Sequence, residues 1–403
     1  MNCIVYLLDG LTPLAIESKF NQNFFGEKIK KNFISKLSKN SINFTNTYGY
    51  GETFSTTYQY LTGEDIYDNF CDSFKLFNSF PKKKNLAFYF KENDFNTFFF
   101  RNSKVNFPLV GFYGRYLESV THNFDVVCKT KKNKNYSFKN FFKENKISKY
   151  LSSSQKNFFL FHDFSLHDNK RAYSNGTAKS YLHAVDHSSK IVQNNLKIIN
   201  YDKKKDILVF ISDHGLNLKP SSKIHFSSKL NPNEYQKYYK DLFIDEKLKV
   251  TFFIKYPNCK STKVSNYYKP NFIFLLLKKF AKINFKILEM KKLLESIKNK
   301  KNKIIISIQA AKQDPFNNFF LKDYFHCHFL SLSKFSKIAY SHNHTQSFYD
   351  IKNKKFIYEV KNNLEFKKLI KNYFSLKNYT KKFLIFILSL FIRALNKFFR
   401  KFR

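Results

Sequence analysis

Two apolar runs in this chain end on residues that can hold a cation. Ile4-Val5-Tyr6-Leu7-Leu8 runs into Asp9-Gly10, and Ile207-Leu208-Val209-Phe210-Ile211 runs into Ser212-Asp213-His214-Gly215. Between them in the chain, Thr53 follows a glycine-rich turn and opens the phrase Thr53-Phe54-Ser55-Thr56-Thr57-Tyr58-Gln59-Tyr60-Leu61-Thr62-Gly63. A threonine hydroxyl is a poor nucleophile until a metal or a base lowers its pKa. Two carboxylates, one imidazole and the Thr53 oxygen make a four-member donor set. Such a set suits a divalent cation with a position left open for a substrate oxygen. A further apolar run, Phe158-Phe159-Leu160-Phe161, leads to His162 and His167.

These groups reach one place if the apolar runs are neighbouring strands of an open α/β sheet, which gathers its sites at the carboxyl edge. Residues 1 to about 258 alternate short apolar runs with amphipathic stretches, as βαβ units do. Strands are expected over 3–8, 96–101, 157–162, 206–211 and 250–255. Helices are expected over 26–39, 55–62, 84–93, 177–200 and 235–241. In the longest of these, Leu182, Val185, Ile191, Val192, Leu196 and Ile199 would share one buried face. A basic helical connector follows over 260–302. Closely spaced strands at 304–308, 324–330, 336–340 and 347–351 then suggest a small antiparallel sheet, with a helix at 362–374. The expected organisation is a large α/β domain over 1–300, a small α+β subdomain over 301–375, and a basic hydrophobic tail over 376–403.

With 403 residues, 51 Phe and 26 Tyr, the chain has ample material for a large core. Its 71 Lys and Arg against 30 Asp and Glu give a formal charge of +41. Two readings of that charge stand: attraction to anionic lipid, nucleic acid or a polyanionic glycan, and the codon bias of an AT-rich genome. No nucleic-acid-binding module is recognisable, so no specific nucleic-acid partner is expected. Five scattered cysteines without a C-x-x-C pair read as reduced thiols. The first apolar run is broken by Asp9 and has no basic segment before it, so it reads as a strand and not a signal peptide. No segment reaches the roughly 18 to 20 apolar residues of a membrane span. Residues 381–403 pair an apolar stretch with Arg393, Lys397, Arg400, Lys401 and Arg403, the composition of an interfacial helix on anionic lipid. A last helix capping the core is the alternative. The expected location is cytoplasmic, with peripheral attachment at the inner membrane face.

In this order, the phrases resemble the sulfatase-like branch of the alkaline phosphatase superfamily. That family places L-T-G eight residues after its nucleophile, and Leu61-Thr62-Gly63 follows Thr53 at the same interval. The stretch from Leu37 to Tyr48 is similar to the family's lead-in to the nucleophile, and Phe88 to Thr97 to its L-K-x-x-G-Y-x-T segment. His162 and His167 match its L-H-x-x-x-P-H spacing. Lys240 precedes Val250-Thr251-Phe252-Phe253-Ile254-Lys255-Tyr256-Pro257 as the family's lysine precedes V-P-L-I-I-x-x-P, and Phe348-Tyr349-Asp350 resembles its L-Y-D-L strand. The resemblance covers roughly 1–360. It implies a large, mixed, mostly parallel sheet flanked by helices with a small C-terminal antiparallel sheet.

Carried over residue by residue, the resemblance makes Asp9, Thr53, Asp213 and His214 ligands of one divalent metal (Mn, Mg, Ca or Zn). Thr53 would be the metal-bound nucleophile that becomes a covalent phospho-enzyme. His167 would touch the transferred group or protonate the leaving oxygen, and Lys240 would neutralise its developing charge. His162 is expected to pack beneath the sheet end. Three departures bear on the reaction. Thr53 cannot become the formylglycine that sulfatases make from Cys or Ser, Gly10 stands where they carry a second Asp, and their G-K-x-H phrase falls at Arg101-Asn102-Ser103-Lys104. The threonine is instead similar to the nucleotide pyrophosphatase/phosphodiesterase branch and to the phosphoglycerol and phosphoethanolamine transferases. Asp163-x-x-x-His167 is also similar to a second-zinc motif in the pyrophosphatase branch, with His225 a candidate further ligand. The reading is a phosphoester hydrolase or phosphotransferase acting on an anionic small-molecule, glycan or lipid-linked substrate. The alternatives are a sulfuric ester hydrolase and an inactive sulfatase-like scaffold that binds anionic surfaces.

Overall fold

The computed structural model describes residues 1–16, 32–49, 53–63, 84–102, 120–128, 137–151, 155–167, 178–215, 248–283, 286–298, 304–308, 328–332, 336–341, 346–350 and 355–358. The chain divides into two compact units: Met1–Gly63 with Lys84–Asn106 and Asn123–Ile304, and Glu64–Lys83 with Phe107–His122 and Ile305–Arg403.

The first unit is built on eight strands. They are β1 (Asn2–Leu8), β2 (Ile42–Thr47), β3 (Phe95–Asn102), β4 (Val126–Val127), β5 (Lys156–Asp163), β6 (Ile207–Ile211), β7 (Phe252–Lys255) and β8 (Thr262–Tyr268). Its helices are α1 (Phe33–Lys39), α2 (Thr53–Thr62), α3 (Leu86–Lys91), α4 (Phe138–Glu144), α5 (Ala178–Ile198), α6 (Pro270–Lys282) and α7 (Ile287–Lys298). The strand order is β4-β3-β5-β1-β6-β7-β2-β8. Pairing is parallel from β4 through β6, antiparallel on both sides of β7, and parallel again between β2 and β8. This is an α/β sheet, mixed and mostly parallel.

The central strands form where the apolar runs are unbroken because both faces of the sheet are covered. Ile4, Tyr6, Leu8, Phe98, Phe100, Phe159, Phe161, Leu208 and Phe210 share a core with α1, α4 and α5. The alternate positions face α2, α3 and α6. There Phe90 of α3 stacks on Phe158, with ring centroids 3.8 Å apart, and Phe272 of α6 meets Phe252 edge-on. Each fully buried side chain of this size stabilises by about 1.5–3 kcal/mol. In α5 the buried stripe is Tyr181, Val185, Ser188, Val192 and Asn195, at helical spacing, and Ile199 just past its end continues it. Asn32, Asn85 and Ser137 cap α1, α3 and α4 by accepting backbone N–H groups.

Several expected elements lie where the sequence placed them, with bounds shifted by one or two residues. Among the described residues, four strands were not expected: β2, β8, the two-residue β4 and the last strand, Lys355–Tyr358. β2 alternates apolar with Asn and Thr, and β8 is a mostly polar edge strand inside the stretch expected to be a helical connector. The expected helix at 235–241 and the first part of the one at 26–39 lie outside the described residues, as do the helix at 362–374 and the tail at 381–403.

In the second unit, β9 (Ile304–Ile308), β10 (His328–Leu332), β11 (Ser336–Ser341), β12 (Gln346–Asp350) and β13 (Lys355–Tyr358) form one five-stranded sheet. The pairs from β10 to β13 are antiparallel. Among the described residues, no helix is long and apolar enough to cross a membrane.

Candidate active site

Strands β1 and β6 lie side by side in parallel, with Leu7 opposite Ile211, so the next inward-facing residues, Asp9 and Asp213, leave the sheet together at its carboxyl edge. Both are fully buried. The turn after Asp9 is fixed from two sides. The Tyr181 hydroxyl donates to the Gly10 carbonyl and accepts from the Thr12 N–H, while the Ser212 and Thr251 hydroxyls donate to the Leu11 carbonyl. Gly10 takes a positive φ of 77°, and its N–H donates to Asp213 Oδ1 at 3.0 Å. That bond needs a backbone conformation glycine adopts easily.

Thr53 arrives from the other side of β6. The chain leaving β2 passes so close to β6 that a Cβ on Gly49 would collide with the Asp213 carbonyl. Only glycine permits this approach, and it leads into α2 with Thr53 as the first helical residue. The Thr53 hydroxyl donates to Asp9 Oδ2 at 3.1 Å and lies 3.3 Å from His214 Nε2. His214 Nδ1 sits 2.7 Å from the Gly215 carbonyl. That contact places the proton on Nδ1 and leaves the Nε2 lone pair facing the carboxylates. Nε2 is 3.7 Å from Asp9 Oδ1 and 3.6 Å from Asp213 Oδ2.

The electrostatics suit a cation. Asp9, Asp213 and His214 offer ligand atoms that all lie within 4.8 Å of one another. Asp9 Oδ1 and Asp213 Oδ2 are buried with no hydrogen-bond partner among the described residues. Burial, then the neighbouring Asp213, push the Asp9 carboxyl well above the usual carboxylate range. Burial also acts upward on Asp213, but the His214 imidazole, the Gly10 N–H and the Thr53 hydroxyl together bring it below that range. The two cannot both carry a full charge in a dry site without a counter-ion. The orphaned oxygens, the pre-set imidazole and the paired acids are the donor set a divalent cation takes.

Two further groups share this face. In the β3–β5 register Arg101 stands opposite His162, and His162 stands opposite Leu7. Side chains at matched positions point the same way, so Arg101, His162 and Asp9 line one face. His162 Nε2 lies 3.9 Å from Asp9 Oδ2. Burial, then the Arg101 cation, pull its pKa down to about 3.

No protein-family model matches the sequence, and neither does any curated protein. Solved structures do match. A 2-O GAG sulfatase superposes with a TM-score of 0.56 at 13% identity, covering 94% of this chain and 91% of its own. The phosphonate monoester hydrolase of Agrobacterium radiobacter gives 0.57 at 12% identity, with 95% and 96% covered. An alkaline phosphatase superfamily protein from Vibrio parahaemolyticus gives 0.51 at 12%, with 96% and 87% covered. The chain has the sulfatase-like fold of the alkaline phosphatase superfamily.

Within that fold the structure brings Asp9, Thr53, Asp213 and His214 together and leaves Asp163 apart. Asp163 follows His162, so strand alternation turns it to the opposite face. There it accepts from the Tyr6 hydroxyl, from Asn102 Nδ2 at 2.8 Å and from the Ser165 N–H at 2.8 Å. Its acceptor sites are occupied, and it anchors strand ends. His167 is exposed just beyond β5, its ring 6.0 Å from that of Phe164. Lys240 and His225 lie outside the described residues. Sequence reading placed His162 in the packing and gave Arg101 no part. The signal that joins them is two-residue parity, usable once the β3–β5 register is known.

Proposed function

We propose that this chain is a metal-dependent phosphoester hydrolase or phosphotransferase in which Thr53 accepts the transferred group. One observation carries the reading: the Thr53 hydroxyl is held 3.1 Å from Asp9 and 3.3 Å from His214, at the rim of a buried carboxylate–carboxylate–imidazole set. A divalent cation held by Asp9, Asp213 and His214 would supply the charge that lowers the Thr53 pKa and balances the oxygens of the transferred group.

The chain's own residues do the rest. The Thr53 proton already lies along a hydrogen bond to Asp9 Oδ2, so the carboxylate is the acceptor within reach. As Oγ1 bonds to phosphorus, the bond from phosphorus to the leaving oxygen breaks, and that oxygen takes a proton from His167. Water or an acceptor alcohol then attacks phosphorus as His167 takes back a proton from it, the Oγ1–P bond breaks, and Oγ1 recovers its proton from Asp9. The position of Thr53 at the first turn of the ten-residue α2 adds a favourable field for the anionic group. A threonine in this place favours phosphoester chemistry over sulfate-ester hydrolysis, because it cannot become formylglycine. The charge of +41 favours an anionic substrate, whether small, glycan-borne or lipid-linked.

The test is turnover of p-nitrophenyl phosphate, bis-p-nitrophenyl phosphate and p-nitrophenyl sulfate with Mn²⁺, Mg²⁺, Ca²⁺ or Zn²⁺ added. Metal-dependent cleavage of a phosphoester should fall by about 10³-fold or more in Thr53→Ala. Equal turnover by the variant would remove Thr53 from the reaction. Cleavage of the sulfate ester alone would replace the phosphoester reading.

A further inference from the structure

Beside the cation set lies a second group of side chains, of which the proposed steps use His167 alone. Arg101, His162, Phe164 and His167 gather at the ends of β3 and β5. Phe164 organises them: the Arg101 guanidinium carbon lies 4.7 Å from its ring centroid, the His162 ring 4.3 Å away at 38°, and the His167 ring 6.0 Å away nearly edge-on. A cation over an aromatic face and a ring packed against it are held without using the imidazole nitrogens. His162 therefore keeps its orientation while its polar edge remains available.

That edge is directed at the reacting centre. His162 is only 4% exposed, and its Nε2 atom is buried with no hydrogen-bond partner among the described residues. Buried polar atoms are almost always paired, and an unpaired one calls for an explanation. The nearest charged atom is Asp9 Oδ2 at 3.9 Å, too long for a hydrogen bond, and the same oxygen accepts the Thr53 hydroxyl at 3.1 Å. The Asp9 carboxylate is thus bracketed, with His214 beside Oδ1 at 3.7 Å and His162 beside Oδ2. His214 turns a lone pair toward the set. A proton on His162 Nε2 is the tautomer that suits a carboxylate neighbour, and it makes this atom a donor. A donor beside the nucleophile, on the Arg101 side of it, is placed for a non-bridging oxygen of a tetrahedral anion bound over Thr53.

We infer that His162 is a substrate-binding residue whose Nε2–H donates to the transferred phosphoryl group, held in place by Phe164 and Arg101. The inference rests on the phosphoester reading and extends it: the anion is gripped from the β5 side by an imidazole as well as from the β1–β6 side by the cation. His162 is not assigned to the metal.

The experiment measures orthovanadate binding by calorimetry in the presence of Mn²⁺, together with bound Mn²⁺, for the wild type, His162→Phe and His162→Gln. His162→Phe keeps a ring against Phe164 and deletes the donor, while His162→Gln keeps an amide N–H near the place of Nε2. Retained unfolding temperature in both variants shows that each is folded. The expected result is vanadate affinity about 10- to 100-fold weaker in His162→Phe, partial recovery in His162→Gln, and Mn²⁺ content equal to wild type in both. Unchanged vanadate affinity in His162→Phe overturns the inference and leaves the phosphoester reading standing. Loss of Mn²⁺ along with vanadate in both variants also overturns it, because His162 would then be a ligand. A wild type that binds Mn²⁺ but no vanadate overturns the phosphoester reading and the inference with it.

Discussion

Asp9 and Asp163 end neighbouring strands, are both completely buried, and stand in opposite situations. Asp163 accepts from Tyr6, Asn102 and the Ser165 backbone, and Asn195 of α5 in turn donates to Tyr6 at 2.9 Å. One oxygen of Asp9 has no hydrogen-bond partner among the described residues, and a second carboxylate lies beside it. Strand parity separates the two. Asp163 faces the helices α1, α4 and α5, where a buried acid must be satisfied by the protein itself. Asp9 faces α2 and the incoming Thr53, where its satisfaction is deferred to something that binds. A saturated carboxylate is a fastening, whereas an unsaturated pair is a destabilising feature that a ligand can relieve.

The sharpest way to break this contrast is to truncate each acid. Without added divalent cation, Asp163→Ala should lower unfolding stability by about 3 kcal/mol, because the buried Tyr6 hydroxyl and two part-buried N–H donors lose their acceptor. Asp9→Ala should leave stability within about 1 kcal/mol of wild type, since it removes an unfavourable neighbour of Asp213 along with the packing it loses. Urea midpoints decide the matter. If both variants fall by the same amount, the two acids are equally structural.

Adding the cation should reverse the order for Asp9. At a concentration of 100 times its dissociation constant, a bound ion raises native stability by about 2.7 kcal/mol. Wild type should therefore gain in unfolding temperature with Mn²⁺ or Zn²⁺. Asp9→Asn and Asp213→Asn should gain little, and Asp163→Asn should gain as wild type does from its lower starting point. A full gain in Asp213→Asn would show that the ion binds elsewhere.

The same contrast explains what could be read in the sequence. β1, β5 and β6 were legible because sheets covered on both faces demand unbroken apolar runs, and Asp9, Asp213 and His214 were legible because they directly follow such runs. Thr53 was found through a phrase and its interval to Leu61-Thr62-Gly63. β2 was missed because Ile42-Asn43-Phe44-Thr45-Asn46-Thr47 has few apolar residues and two asparagines, which favour turns, although cross-strand stacking of Phe44 on Phe252 at 4.4 Å holds it. Asp163 was proposed for a second metal because its spacing to His167 matches a motif. Spacing alone carries no information on which face a strand residue takes. Arg101 and His162 are separated by 61 positions in the chain, and only the register of β3 against β5 puts them side by side.

His162 offers the finest test of the comparison, because its burial beside Asp9 has a pH signature that a solvated surface histidine lacks. Its pKa is ordinarily 6.5 and falls to about 3 in the folded chain, chiefly by burial and then by the Arg101 cation. Between those values the unfolded chain binds a proton at this position and the native chain does not. Native stability from this group is therefore fully present above pH 6.5 and is lost as the pH falls toward 3, at up to about 1.4 kcal/mol per unit. Urea midpoints of the cation-free protein between pH 6.5 and 5 should carry this slope in wild type and show it diminished in His162→Phe, which cannot take up the proton in either state. Equal slopes in the two proteins would mean that His162 is already solvated or paired in the native state, and the difference between the two faces of the sheet edge would then rest on Asp9 alone.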